Sequence, residues 1–99
     1  FNYAKSEVFY KKCLEIKHEA YIVASYGYLL TLMKKYEEAT QCLESSLQAS
    51  DIHELHGTWR FFYYGLLQFA LGKTEQADVY LERTVQRATN IDYILTHLE

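Results

Sequence analysis

The chain has 99 residues, 49% of them apolar and 16% aromatic, and a net charge of −3 with acidic and basic residues interspersed. A disordered chain would be poorer in apolar residues, and a nucleic-acid or anionic-membrane binder would be basic, so one folded domain of neither kind is expected. The longest apolar stretch, Phe61 to Gly72, is interrupted by Gln68 and is too short to span a bilayer.

Proline is absent and glycine occurs only four times, so few positions can break a helix. Asn-Gly and Asp-Gly hairpin signals are also missing, which predicts an all-α chain. Two cysteines, Cys13 and Cys42, form no dense framework and point to a reduced, cytoplasmic compartment. No signal peptide is visible, and an opening at Phe1 is what a piece of a longer repeat protein would show.

In chain order, the first predicted helix runs from Tyr3 to Ile16. Its landmarks Tyr3, Ser6, Tyr10, Cys13 and Leu14 lie on one face of a 3.6-residue period. Lys17-His18-Glu19 forms a turn. A second helix is expected from Ala20 to Met33 and a third from Tyr36 to Ala49, with Lys34-Lys35 as a solvated break between them. Ser50-Asp51 closes the third helix, and Asp51 with Glu54 has capping-box spacing for a fourth from Ile52 to Leu71. Gly72 supplies a left-handed C-cap. Thr74 is the expected N-cap of a fifth helix, Glu75 to Ala88. Asn90 is expected to cap a separate amphipathic segment, Ile91 to Leu98, with Ile91, Ile94, Leu95 and Leu98 on one side.

The pattern recurs along the chain. Gly27, Ala39, Leu43 and Ser46 return as Gly65, Ala77, Leu81 and Thr84 at an offset of 38, and the first helix matches the third at an offset of 33. A period in this range belongs to stacked helical hairpins, each too small to bury its apolar face alone. The expected division is a half repeat over 1–17, repeats over 18–50 and 51–89, and a C-terminal helical segment over 90–99.

At these residues the chain resembles the tetratricopeptide repeat family, whose pattern of about 34 residues carries an aromatic, a Leu-Gly, a Tyr, an Ala, an aromatic and a closing proline. The middle unit reads Val23, Tyr26-Gly27, Leu30, Ala39, Leu43 and Ser46. The next reads Phe61, Tyr64-Gly65, Gln68, Ala77, Leu81 and Thr84. The likeness extends from Tyr3 to about Thr89, although the proline is missing, Leu43 and Leu81 replace an aromatic, and Gln68 stands where tyrosine is usual. It implies a right-handed superhelix of antiparallel hairpins, an α-solenoid of five helices plus the C-terminal segment. Longer, proline-free units of this kind also resemble, more loosely, the peptide-sensing repeat domains of bacterial quorum-sensing regulators.

The first helix of each hairpin is apolar on two faces. Val23, Tyr26, Gly27 and Leu30 form the face that a hairpin partner covers, and Tyr21, Ala24, Tyr28 and Leu32 form a second. The fourth helix divides likewise, with Phe61, Tyr64 and Gly65 on one side and Trp59, Phe62, Leu66 and Phe69 on the other. A helix apolar on two faces is covered on two faces. In the family, the second face lines a concave groove that holds a partner peptide. At about 150–250 Å² per large aromatic, these side chains could exceed the few hundred Å² that a soluble monomer usually leaves exposed.

Two coverings are expected. One is an apolar or amphipathic segment of a partner protein, anchored by Trp59 and Phe62. The other is a second copy in a homodimer, a neighbouring repeat, or the chain's own C-terminal segment. The family's carboxylate-clamp use needs Lys, Asn and Arg on the groove helices. The corresponding positions are Ala24, Tyr28, Thr31, Phe62, Leu66 and Phe69, with Arg60 one residue off the face, so that use is not expected.

Catalysis and metal binding have weaker signals. His53 and His56 sit beside Asp51 and Glu54 at a helix start, but a metal site needs three or four converging ligands. A solvated helix end is the expected reading, with no metal and no cofactor. Cys13 reads as a buried inert thiol, Cys42 has no base beside it, and His18 and His97 read as exposed. No phosphate loop or nucleophile elbow occurs, and the ten tyrosines lack the basic stripe of a nucleic-acid binder, so no enzyme is expected.

Overall fold

The computed structural model describes residues 2–17, 19–48 and 55–97, with side chains placed for all of these except 55–57 and 90–97. Five helices account for most of them, and no strand occurs among the described residues: α1 Tyr3–Ile16, α2 Ala20–Leu32, α3 Tyr36–Leu47, α4 Leu55–Ala70 and α5 Thr74–His97.

The packing order follows from the connections. Each helix packs on the next in sequence, and α2 also packs on α4. Lys35, just beyond the end of α2, reaches Glu7 near the start of α1, so α1 and α2 are antiparallel. So are α4 and α5, where Arg87 Nε donates to Thr58 Oγ1 at 3.3 Å while Tyr64 lies edge-on to Tyr80 at 4.7 Å. By contrast α2 and α4 run in the same direction, with Tyr28 opposite Tyr63 and Tyr21 near Trp59. A radius of gyration of 14.2 Å exceeds the roughly 13 Å of a compact chain this long, as a row of helices should.

Small residues set the hairpin spacing. A Cβ on Gly27 would come within 2.6 Å of Leu43 Cγ, and one on Gly65 within 2.9 Å of Leu81 Cδ2. The two close approaches are 38 positions apart. Around the first of them lies the core, with Leu30, Ala39, Leu43 and Leu67 fully buried.

The two hairpin turns are also built alike. Lys34 N–H donates to Thr31 O and Lys35 N–H to Leu30 O; Gly72 N–H donates to Phe69 O and Lys73 N–H to Gln68 O. Both are Schellman closures with a left-handed residue after the cap. Gly72, at φ +80°, takes that conformation without a Cβ penalty, as expected, whereas Lys34 adopts φ +63° with its side chain in place.

Several expectations need correction. No separate segment begins at Asn90, because α5 is continuous from Thr74 to His97. Thr89 Oγ1 donates to Val85 O at 2.8 Å within the helix, as Thr84 Oγ1 does to Tyr80 O at 2.9 Å, so hydroxyls that could have broken the helix are satisfied inside it. Thr74 is the first helical residue and not the cap, since Ala77 N–H donates to Lys73 O. The second helix ends at Leu32, one residue early, and Asn2 caps α1 by accepting from Lys5 N–H at 3.1 Å. Cys13 is half-buried, not buried.

The expectations for His18, Ser50, the Asp51–Glu54 capping box and the His53/His56 cluster fall outside the described residues. So do those for the side chains of Ile91, Ile94, Leu95, His97 and Leu98.

Candidate functional site: an aromatic cleft along α2 and α4

Because α2 and α4 lie parallel, their second faces are presented side by side. Tyr21 and Tyr28 on α2 and Tyr63 on α4 border the join, each a flat apolar surface with a hydroxyl at its edge. Tyr28 on α2 stacks on Tyr63 on α4, with ring centroids 4.7 Å apart and planes inclined by 16°. Trp59 meets Phe62 edge-on at 5.9 Å and leans on Tyr63 at 6.4 Å. Burial pushes the Tyr63 phenol above its usual value, so the ring is neutral at any physiological pH.

A cavity of about 170 Å³ opens between the helices, lined by Tyr21, Ala24, Ser25, Trp59, Arg60 and Tyr63. A second, of about 160 Å³, lies on the other flank of α2, between it and α1, and is lined by Ser6, Tyr10, Ser25, Tyr28, Leu29 and Leu32. Ser25 borders both. Each is near the roughly 150 Å³ that accommodates a benzene ring in an engineered protein cavity. Arg60 alone among the lining residues is charged, and its side chain is sealed at 0% exposure with Nη1 donating to the Ser46 carbonyl at 3.5 Å. Ser25 Oγ donates to Tyr21 O at 2.9 Å, and a hydrogen bond with Glu19 holds the Tyr21 phenol above its usual value. The walls thus offer aromatic rings and the hydrogen-bonded hydroxyls of Ser6, Tyr21 and Ser25, which suits an apolar side chain.

The expected site residues divide into three groups. Tyr21, Tyr28, Leu32 and Trp59 line the two cavities at or near the surface, with Tyr21 41%, Leu32 39% and Trp59 54% exposed. Ala24 is 1% exposed and belongs to the core, forming the floor of the first cavity and not a contact surface. Phe62 and Leu66 are half-buried and Phe69 is 64% exposed. Phe62 supports Trp59, while Leu66 and Phe69 line neither cavity.

Arg60, one residue from Trp59 and off the exposed face as expected, is buried beneath the cleft. Its side chain fills the space above Ser46, where the small residue leaves room for a guanidinium, and it borders the cavity from below. Thr31 likewise is buried, its hydroxyl donating to Gly27 O at 2.9 Å. Tyr63, Ser25 and Tyr10 were missed. A signal for Tyr63 existed in its spacing of four residues from Trp59.

The aromatic surface is smaller than sequence arithmetic implied. At about 150–250 Å² per ring, the exposed fractions of Tyr21, Trp59 and Phe69 leave roughly 240–400 Å² in water. Tyr28 and Phe62, both half-buried against Tyr63 and Trp59, add a smaller share. That is within the range of the largest apolar patch on an ordinary monomer, so the face does not require a permanent cover.

Comparison of the chain with protein-family models, with curated proteins and with solved structures finds no match in any of the three. Among the described residues no helix is long and apolar enough to cross a membrane.

Proposed function

We propose that this chain is an interaction module of the tetratricopeptide type. In this reading it holds an apolar or amphipathic segment of a partner protein across α2, from the cleft between α2 and α4 to the one between α2 and α1. The observation that carries the proposal is the pair of cavities of side-chain size flanking α2, one of them walled by the half-exposed Trp59. Apolar anchors of leucine or phenylalanine size would enter the two cavities, and the tyrosine hydroxyls would border them as a polar rim.

The repeat reading is supported by two features recurring at an offset of 38: the Gly27–Leu43 and Gly65–Leu81 approaches, and the matching turns at Lys34 and Gly72. Stacked in this way, the hairpins would continue as a right-handed superhelix. A carboxylate clamp is disfavoured because Arg60, the cation among the described residues lining the cleft, is sealed. The proposal places the module in the cytoplasm, with cysteine usage as its support.

Site-specific photo-crosslinking tests it. A crosslinker at position 62 should capture one discrete partner segment in the native cell extract, whereas one at the exposed Gln41 on α3 should not. Trp59→Ala should abolish the position-62 product while leaving the chain helical. Capture of only a second copy at position 62 would make the cleft a self-interface, and equal capture from both positions would remove the site altogether.

A further inference from the structure

The two helices at the ends of the row, α1 and α5, each pack along one side and present the other to water. On α1 the packed residues Tyr3, Ser6, Tyr10 and Cys13 leave Lys5, Val8, Phe9, Lys12 and Ile16 on the opposite side, all five exposed. On α5 the packed residues Ala77, Tyr80, Leu81 and Thr84 leave Glu75, Asp78, Val79, Glu82 and Val85 exposed. Both outer stripes mix apolar and charged side chains. Lys5 and Lys12 on the first are opposite in charge to Glu75, Asp78 and Glu82 on the second, with the exposed Glu15 at the edge of the α1 stripe.

The spacing also matches. Lys5 and Lys12 are seven residues apart, as are Glu75 and Glu82, which on a helix is about 10.5 Å in each case. Phe9 and Val79 occupy the same place between them. Because α1 is antiparallel to α2, α2 parallel to α4, and α4 antiparallel to α5, α1 and α5 point the same way. A second copy displaced along the row therefore brings its α1 parallel to the first copy's α5. Lys5 then meets Glu75, Phe9 meets Val79 and Lys12 meets Glu82, while Ile16 falls at Gln86. Among the described residues none of these four charged side chains is committed to an ion pair within its own chain.

We infer that this chain associates head to tail with copies of itself, the basic outer stripe of α1 docking on the acidic outer stripe of α5. Such an interface is heterologous, so it adds copies into an open row and does not close at a dimer. One helix-on-helix contact about 20 Å long falls short of the roughly 800 Å² per partner of a standard interface. The association is therefore weak, concentration-dependent, and reduced by salt. It leaves the cleft between α2 and α4 untouched, so it does not rest on the proposed partner binding.

Sedimentation velocity on the intact chain tests this with a charge swap. At low salt the average mass should rise with concentration past that of a dimer, and it should fall at molar salt. Lys5→Glu with Lys12→Glu, and separately Glu75→Lys with Glu82→Lys, should each weaken self-association about ten-fold or more, replacing two attractions by two repulsions. Mixing the two double variants should restore it, because acidic α1 then meets basic α5 and acidic α5 meets basic α1. All substitutions are at exposed positions, and circular dichroism verifies that the helices persist. A wild type that is monomeric throughout overturns the inference. So does a species that stops at the dimer and ignores the charge changes, or a mixture that stays dissociated. Trp59→Ala should leave the rise in mass intact, which separates failure here from failure of the cleft.

Discussion

Replacing Gly27 with alanine tests the closest contact in the fold. The new Cβ would sit 2.6 Å from Leu43 Cγ, 3.0 Å from Leu43 Cδ2 and 3.3 Å from Cys42 Cβ. Leu43 Cγ is a branch atom close to its own backbone, so it cannot swing clear without moving α3. Overpacking of this kind costs about 1–3 kcal/mol, against which alanine regains about 1 kcal/mol of helix propensity over glycine. The net expectation is a loss of about 1 kcal/mol, or roughly 4–8 °C in melting temperature for a domain of this size. Gly65→Ala should cost less, because its closest approaches, Leu81 Cδ2 at 2.9 Å and Cγ at 3.0 Å, are milder than the 2.6 Å at Gly27.

Thermal unfolding followed by circular dichroism on Gly27→Ala, Leu43→Ala and the double variant gives the coupling directly. Leu43→Ala alone should cost about 2–5 kcal/mol, since that side chain is fully buried. In the double variant the added methyl enters vacated space, so the second substitution should cost nothing further. If Gly27→Ala instead stabilises the chain by about 1 kcal/mol in both backgrounds, as in an open helix, then α2 and α3 do not approach as described.

The turns make opposite predictions at equivalent positions. Lys34→Gly should raise stability by up to about 1 kcal/mol, whereas Gly72→Ala should lower it by about 1–2 kcal/mol through backbone strain alone, since nothing lies within 4 Å of its Cβ position; chemical denaturation of both variants measures the signs. Trp59→Ala should cost about 1–2 kcal/mol, below the roughly 3–5 of a buried aromatic, because over half of the ring is in solvent. A larger loss on denaturation would place Trp59 in the core.

Alkaline pH should unfold the chain. Burial first, then the Glu44 carboxylate that accepts from its hydroxyl at 3.2 Å, pushes the Tyr64 phenol up to about 12, and burial raises Tyr26 and Tyr63 as well. A phenol raised in the folded state contributes stability that is complete below the unfolded value of about 10 and is lost as pH rises through about 12. Phenolate absorbance recorded with helical dichroism over this range checks it. Ionisation of every tyrosine near pH 10 with the helices intact would contradict it.

Much of the helical layout was legible because apolar spacing alone identifies a packed stripe. Ser6 and Tyr10 do lie against α2, and Leu81 does meet α4 at Gly65. What periodicity cannot give is which of several neighbours a face meets. Helix α4 touches α2, α3 and α5, so Arg60 could be buried against Ser46 while Trp59, one residue earlier, stayed in water. Ala24 was assigned to a contact surface because its helical position is right, yet parallel packing of α4 brings that turn close enough to close over it. Lys34 in a left-handed conformation and the uninterrupted passage of α5 through Asn90 illustrate the same limit. Both are local preferences overruled by packing or by hydrogen bonds that a one-dimensional pattern does not reveal.

Helix α1 contains no buried residue. Its attachment depends on the Tyr10–Tyr26 stack at 6.0 Å and on Glu7, which accepts from Tyr26 Oη at 3.0 Å and from Lys35 Nζ at 3.3 Å. The Tyr26 hydrogen bond first, then Lys35, holds the Glu7 carboxyl below its usual range, so this clasp is firm at neutral pH and loosens in acid. With only the partly buried Tyr3, Tyr10 and Leu14 against the core beside this polar clasp, α1 should be the first element to fray, and its amide hydrogens the first to exchange with solvent. If a neighbour docks on its outer side, that fraying is suppressed by mass action, and the ordering of this helix becomes a gauge of how crowded the chain is with its own kind.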